Sequence, residues 1–237
     1  MKKPVPSSLL SEQDLVSCRL ALQKWGSQNY RPFPWRQQSD PYALLIAEVM
    51  LHRTQVRQVV PIYERFMMTF PNVQLLSIAD KREILKLLAS LGLNWRAELV
   101  KDLADTLMYR YQGAIPQDRA ELLTLPGVSD YIASAVRCFT WNYPDPLLDT
   151  NTVRIAGRLF NLEVRDSSRR SPFFRQSVTN LMDLDDPRSS MYSLLDLAAK
   201  VCVKKLPPVC FVCPLVEWCH FGRQYTSDNK NKTVKQS

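Results

Sequence analysis

Apolar residues recur at helical spacing in one block after another along this chain, and no alternation of strand length interrupts them. Leu15, Leu20, Leu22 and Trp25 share an amphipathic stretch that opens after Ser11, with Glu12 and Asp14 where a helix N-terminus favours acids. A helix should begin near Pro41 and run through Leu44, Ile46, Val49, Met50 and Leu51. Further blocks fall at Val59–Phe70, Lys81–Leu91, Arg96–Tyr111, Arg119–Leu125, Tyr131–Asn142, Thr152–Phe160, Pro172–Leu184 and Tyr192–Val203. The stretch from Asn29 to Arg36 holds two prolines and cannot be a helix interior. The best strand candidate, Leu162–Arg165, is short. Glycine is scarce, 6 of 237 residues, which disfavours barrels and sandwiches built on glycine turns. The expected fold is all-α, about ten helices with short connectors. No repeat is detectable, and the polar segment after Tyr225 is expected to be a disordered tail.

The net charge of +8 points to a polyanionic partner, although many basic proteins bind none. The longest apolar run, Tyr42–Leu51, is broken by Glu48 and falls short of the roughly 18 residues a membrane span needs. The first residues, Met1-Lys2-Lys3-Pro4-Val5-Pro6, carry charge without the apolar core of a signal peptide, so a reducing compartment is expected. In such a compartment clustered thiols are metal ligands more often than disulfides. Cys202, Cys210, Cys213 and Cys219 form one tract, C-x7-C-x2-C-x5-C, while Cys18 and Cys138 stand alone. Soft sulfur ligands select zinc or an iron–sulfur cluster. A single C-x2-C knuckle fits the cluster better than structural zinc, which favours two. His220 reads as a surface residue.

Two further segments carry chemistry. At Leu125-Pro126-Gly127-Val128-Ser129-Asp130-Tyr131 one helix ends, a turn follows, and Ser129 or Asp130 caps the next helix. Such a turn suits a phosphate, though an ordinary helical hairpin has the same pattern. In Pro146-Leu147-Leu148-Asp149-Thr150-Asn151-Thr152-Val153-Arg154 an apolar run delivers one carboxylate to the start of a basic helix. Asp149 is either a helix cap or a catalytic carboxylate in a partly apolar cleft.

The order of PFPWR, E-V-M-L-x-x-T-Q-V, L-P-G-V, L-x-D-x-N-x-x-R and a C-terminal four-cysteine loop resembles the helix-hairpin-helix DNA glycosylases of the endonuclease III superfamily. Within that superfamily the chain is most similar to mismatch-specific thymine glycosylases and MutY-type adenine glycosylases. The resemblance runs from Arg31 to Phe221. It implies a two-domain helical fold. A six-helix barrel would occupy 40–143, a cluster domain 144–224 with 1–39 packed on it, and a tail 225–237. Double-stranded DNA would bind in the groove between the domains with a mismatched or damaged base flipped out. A [4Fe-4S] cluster would sit on Cys202, Cys210, Cys213 and Cys219. The first cysteine gap is one residue longer than is usual, an insertion that the loop at 204–208 can absorb.

By position in the resembled motifs, Asp149 matches the catalytic aspartate and Tyr131 the residue that decides lyase activity. Glu48 matches the acid that assists adenine departure. His52 and Arg53 lie where relatives fill the gap left by the flipped base, and Leu93 where a side chain wedges the opposite strand. Gly127 and Ser129 would carry the hairpin's phosphate contact, although serine stands where a second glycine is usual. Arg53, Arg57, Arg96, Arg154 and Lys204 are the candidate phosphate cations. Breaking an N-glycosidic bond develops positive charge on the sugar, which one ionised carboxylate stabilises. A lyase also needs an amine, and the phenol of Tyr131 forms no Schiff base.

The implied function is a monofunctional glycosylase, with no membrane association, that releases thymine or uracil opposite guanine. It would act as a monomer in the cytoplasm, at a bacterial or archaeal nucleoid. The alternatives are an adenine glycosylase without the 8-oxoguanine domain and a non-catalytic DNA-binding protein. Glu48 favours the adenine reading, whereas Tyr131 fills space that a purine needs.

Overall fold

The computed structural model describes residues 10–92, 95–204 and 208–234. The chain divides into two compact units. One joins the residues up to Arg31 with those from Pro144 onward, and the other spans Pro32–Tyr143. The first boundary therefore lies at Arg31/Pro32 rather than at 39/40. Every regular element among the described residues is helical, and the strand candidate Leu162–Arg165 is irregular.

The Pro32–Tyr143 unit opens with a 3-10 turn at Pro34–Arg36, the conformation that two nearby prolines allow. Trp35 is buried there and meets Tyr63 edge-on at 5.3 Å. Helix α2 (Pro41–Leu51) starts with Asp40 as cap, its carboxylate accepting from the Tyr42 N–H, and with proline in the first turn. Every residue from Tyr42 to Met50 is buried, so α2 is the central helix of this unit. It packs against α3 (Val56–Thr69) and α8 (Asp130–Trp141). Helices α4 (Val73–Ile78) and α5 (Lys81–Leu88) pack on α6 (Trp95–Tyr111). The five-residue α7 (Arg119–Leu123) joins these six and forms a hairpin with α8.

In the other unit α1 (Glu12–Asn29) lies along α11 (Pro187–Lys200). The end of α1 is tied down by Arg31, whose side chain pairs with the fully buried Asp196 and whose backbone N–H donates to the same carboxylate at 3.2 Å. Helix α9 (Thr150–Phe160) is the hub, in contact with α10 (Pro172–Thr179), α11 and α12 (His220–Val234). The backbone of α12 is helical through Val234, so residues 225–234 of the tail expected to be disordered are helix. Phe221 and Tyr225, one turn apart, stack at 5.9 Å and seat its first turns, and Arg158 of α9 lies over the Phe221 ring at 4.7 Å. No helix among the described residues is long and apolar enough to cross a membrane.

Candidate active site

Asp149 caps α9, and the geometry is fuller than a cap needs. Its Oδ1 accepts from the backbone N–H groups of Asn151 and Thr152, both at 2.8 Å. Its Oδ2 accepts from the Asn151 side-chain amide at 2.7 Å. The Asp149 N–H in turn donates to Thr152 Oγ1 at 3.1 Å, closing a capping box. The residues before it, Asp145 to Leu148, are buried, while Asp149 itself is half-buried. These donors hold both carboxylate oxygens of Asp149 at the N-terminus of α9. Asp149 is thus a negative charge fixed in one orientation.

The chain of contacts continues. The Asn151 side-chain oxygen accepts from Arg154 at 3.1 Å, and Arg154 Nε donates to the Cys202 carbonyl at 2.9 Å. Arg154 also reaches the Ala198 carbonyl at 3.2 Å. Its guanidinium therefore serves acceptors within its own unit. One turn later Arg158 donates to Cys202 Sγ at 3.3 Å and to the Val203 carbonyl at 3.0 Å. Two arginines of α9 clamp the start of the cysteine tract to the helix that carries Asp149.

All four tract cysteines are unbridged. Burial pushes the Cys213 thiol up to about 12 and the Cys219 thiol up to about 11. Burial is the main cause, and the other tract thiols contribute to the same upward shift. The Gly222 N–H donates to Cys219 Sγ at 3.2 Å. Among the described residues no three His, Cys, Asp or Glu side chains are arranged to hold a metal ion.

The other candidates lie in the Pro32–Tyr143 unit. Glu48 is a buried carboxylate near the end of α2. His52 ends α2, and Arg53 follows at φ 60°, a left-handed turn that non-glycine residues seldom adopt. Both are exposed. Partial desolvation, then the charges of Arg53 and Arg96, hold the His52 imidazole below its ordinary pKa and so neutral at pH 7. Arg96 was expected on DNA, and the structure corrects this: it is buried, 1% exposed. It donates to the Met50 carbonyl at 3.1 Å, to Thr54 Oγ1 at 2.9 Å and to the His52 carbonyl. It holds the turn that presents His52 and Arg53. Arg57 and Lys204 are exposed. Leu93 lies outside the described residues.

In the hairpin, Gly127 has φ +75°, and a Cβ there would overlap the Leu99 side chain, so this position requires glycine twice over. Ser129 has φ −84°, an extended conformation that serine adopts without strain, and its hydroxyl caps α8 by accepting from the Ile132 N–H at 3.3 Å. The absent second glycine therefore costs nothing. Arg119 of α7 braces the hairpin, reaching Asp130 at 2.5 Å and Ser134 at 3.0 Å. Tyr131 lies in the first turn of α8, half-buried. The structure thus gathers Gly127, Ser129 and Tyr131 in one hairpin, His52 and Arg53 on one turn, and Asp149 with the cysteine tract around α9.

Residues 46–178 match the family profile described as HhH-GPD superfamily base excision DNA repair protein. A thymine/uracil-DNA glycosylase of Pyrobaculum aerophilum is 38% identical over 214 residues, covering 85% of this chain and 90% of that protein. An adenine DNA glycosylase of Buchnera aphidicola subsp. Baizongia pistaciae is 30% identical over 189 residues, covering 80% of this chain and 53% of its own length. The solved structure of a thermostable thymine-DNA glycosylase superposes with a TM-score of 0.83 at 28% identity, over 90% of this chain and 98% of that one. With the hairpin, the fixed aspartate and the four-cysteine loop in place, the chain belongs to the HhH-GPD superfamily of base excision DNA repair proteins.

Proposed function

We propose that the protein is a monofunctional DNA glycosylase that hydrolyses the N-glycosidic bond of thymine or uracil paired with guanine. The observation that carries this reading is Asp149: a carboxylate fixed by three N–H donors at the start of a helix in a repair-glycosylase fold. As the base departs, positive charge grows on the deoxyribose, and a fixed negative charge stabilises that state without reorganising. The face of the carboxylate not turned to α9 also orients the attacking water. Tyr131 stands where a lyase needs an amine, so the reaction ends at the abasic site. The relatives that are 38% and 37% identical are thymine or thymine/uracil glycosylases, whereas the adenine glycosylase matches at 30%. The buried Glu48 favours the adenine reading, because a carboxylic acid can protonate a departing purine at N7.

Single-turnover assays on duplexes with G·T, G·U, A·G and A·8-oxoguanine pairs separate the two readings. Thymine and uracil should leave faster than adenine, and faster release of adenine would transfer the assignment. Asp149→Asn should lose on the order of 3 kcal/mol or more of transition-state stabilisation, at least a hundredfold in rate. A near-native rate in that variant would reduce Asp149 to a cap. Borohydride should trap no covalent complex, and robust trapping would assign the chemistry to a lysine.

The cysteine tract fits a [4Fe-4S] cluster held by Cys202, Cys210, Cys213 and Cys219. Two of the sulfurs already take N–H donors, Arg158 on Cys202 and Gly222 on Cys219, as cluster sulfurs do. Bound there, the group would cross-link the loop to α12 and so support the clamp made by Arg154 and Arg158. Anaerobically purified protein should carry about four iron and four sulfide per chain. Stoichiometric zinc without iron would overturn this assignment.

A further inference from the structure

A cavity of about 570 Å³ opens in the unit that carries α9, and none of the four tract cysteines lines it. Its floor is the face of α9 that runs from Thr150 to Asn161. Its walls are the segment 162–169, Lys204 and the start of α12. The wall at Leu162–Val164 lies hard against α9 because residue 157 is glycine: a Cβ there would overlap Val164 and approach the Leu162 carbonyl to 3.2 Å. The cavity is therefore built into the fold rather than a gap between loose loops.

Its lining is strongly polarised. Arg154, Arg158, Arg165, Arg169 and Lys204 face one carboxylate, Asp166. That surplus of four is half of the chain's net charge of +8, gathered around one opening. Two of the cations are fixed by the bonds that clamp the cysteine tract, so they set a positive potential rather than reach for a ligand. The others are exposed. Arg165 shares a surface ion pair with Glu163 at 2.6 Å, an interaction too solvent-screened to hold it against a phosphate. No ion pair holds Arg169 or Lys204 among the described residues. A concave site with one sign of charge focuses the field and draws anions in.

The geometry points to a second DNA-backbone site: Arg165 and Arg169 take phosphodiester groups of the duplex. The inference rests on the glycosylase reading only for the identity of the polyanion. Each phosphate neutralised adds about 0.9 to the slope of log affinity against log salt. Replacing both arginines should therefore lower the slope by about 1.8, so that between roughly 50 and 200 mM salt the wild type loses about twelvefold more affinity than the variant.

Binding of an undamaged 30-base-pair duplex to Arg165→Gln/Arg169→Gln tests this by fluorescence anisotropy. The control is Arg65→Gln/Lys86→Gln, which removes the same charge from exposed positions of the other unit. A slope that falls in the cavity variant alone supports the site. An unchanged slope, or an equal fall in both variants, overturns it. Phenylglyoxal modification of the wild-type protein, read by mass spectrometry, gives a second measurement independent of the variant's folding. Duplex should protect Arg165 and Arg169, and modification at the same rate with and without DNA overturns the site. Stronger displacement of the duplex from wild type than from the cavity variant by inorganic phosphate, at matched ionic strength, would fit the same site. Equal displacement, with the slope unchanged, would refute it. If the wild type releases no base from any duplex, the glycosylase reading fails, whereas base release with an unaltered slope fails the cavity alone.

Discussion

Arg96→Met removes a buried cation and keeps most of its volume, and its effect can be worked from the contacts. Three donated bonds are lost, to the carbonyls of Met50 and His52 and to Thr54 Oγ1. Bonds to a charged group contribute about 2 kcal/mol each, about 6 kcal/mol in all. Opposing this, the wild-type guanidinium bears a burial cost, visible in its lowered pKa and in an Nε that finds no acceptor. Methionine escapes that cost, which returns roughly half of the loss. The net expectation is about 3 kcal/mol of destabilisation, or about 6–12 °C in Tm for a chain of this size. Urea unfolding measures the first number. Hydrogen exchange at 51–54 measures the local one, because the turn loses the group that closes it. Arg96→Lys keeps the charge but cannot fork to three oxygens, so it should recover about half of the stability. If Arg96→Met unfolds within about 0.5 kcal/mol of wild type, with exchange at 51–54 unchanged, the arginine does not hold the turn and the reasoning fails.

Gly127→Ala forces a left-handed φ on alanine and drives its Cβ into Leu99, so thermal melting should show a loss of about 2 kcal/mol. Adding Leu99→Ala should relieve the clash and leave the backbone part; full recovery would mean that φ costs nothing there. Arg53→Gln should lower the salt slope of DNA binding by about 0.9, whereas His52→Gln should leave it unchanged, since His52 is neutral at pH 7. Equal slopes for both variants would contradict that charge assignment. Burial lifts the Cys18 thiol to about 12 in the folded chain. The folded state then holds this proton more tightly than the unfolded state, so the contribution is full below about pH 9 and lost as pH rises toward 12. Cys18→Ala should flatten that alkaline decline in a urea series.

Most helices that sequence alone revealed carry apolar residues at helical spacing over several turns, such as α3 and α9. Two escaped it for physical reasons. Helix α4 has only six residues, too few to show a period, and it is fixed by Asn72 capping the Leu75 N–H and by packing on α6. Most of α12 has no apolar stripe, and its start is set by the Phe221–Tyr225 pair against Arg158, a contact made across more than sixty positions. Arginines were the least legible. Arg53, Arg96 and Arg154 are alike as letters, yet one is exposed, one is buried under a turn more than forty residues away, and one clamps a distant loop. Aspartates were easier, because a cap is local: Asp40, Asp80 and Asp118 each accept from an N–H two or three residues on, as their positions imply. Ser129 was readable as a cap but not as unstrained, since φ is not written in a residue type.

Asp149 is a helix cap, and the catalytic role proposed for it is compatible with that cap. A capping carboxylate that made a single N–H bond could rotate about its side-chain bonds and leave the position where charge develops. Here Oδ1 is fixed by two backbone N–H groups and Oδ2 by the Asn151 amide, so both oxygens are located. The amide is itself fixed, because its oxygen accepts from Arg154, and Arg154 is fixed by the carbonyls of Cys202 and Ala198. Electrostatic stabilisation depends on such fixity, since a dipole or charge that must turn during the reaction gives back what it gains. On the proposed chemistry, the cysteine tract need not touch the reacting sugar to bear on Asp149. It forms the far end of a short chain of hydrogen bonds whose near end is the carboxylate.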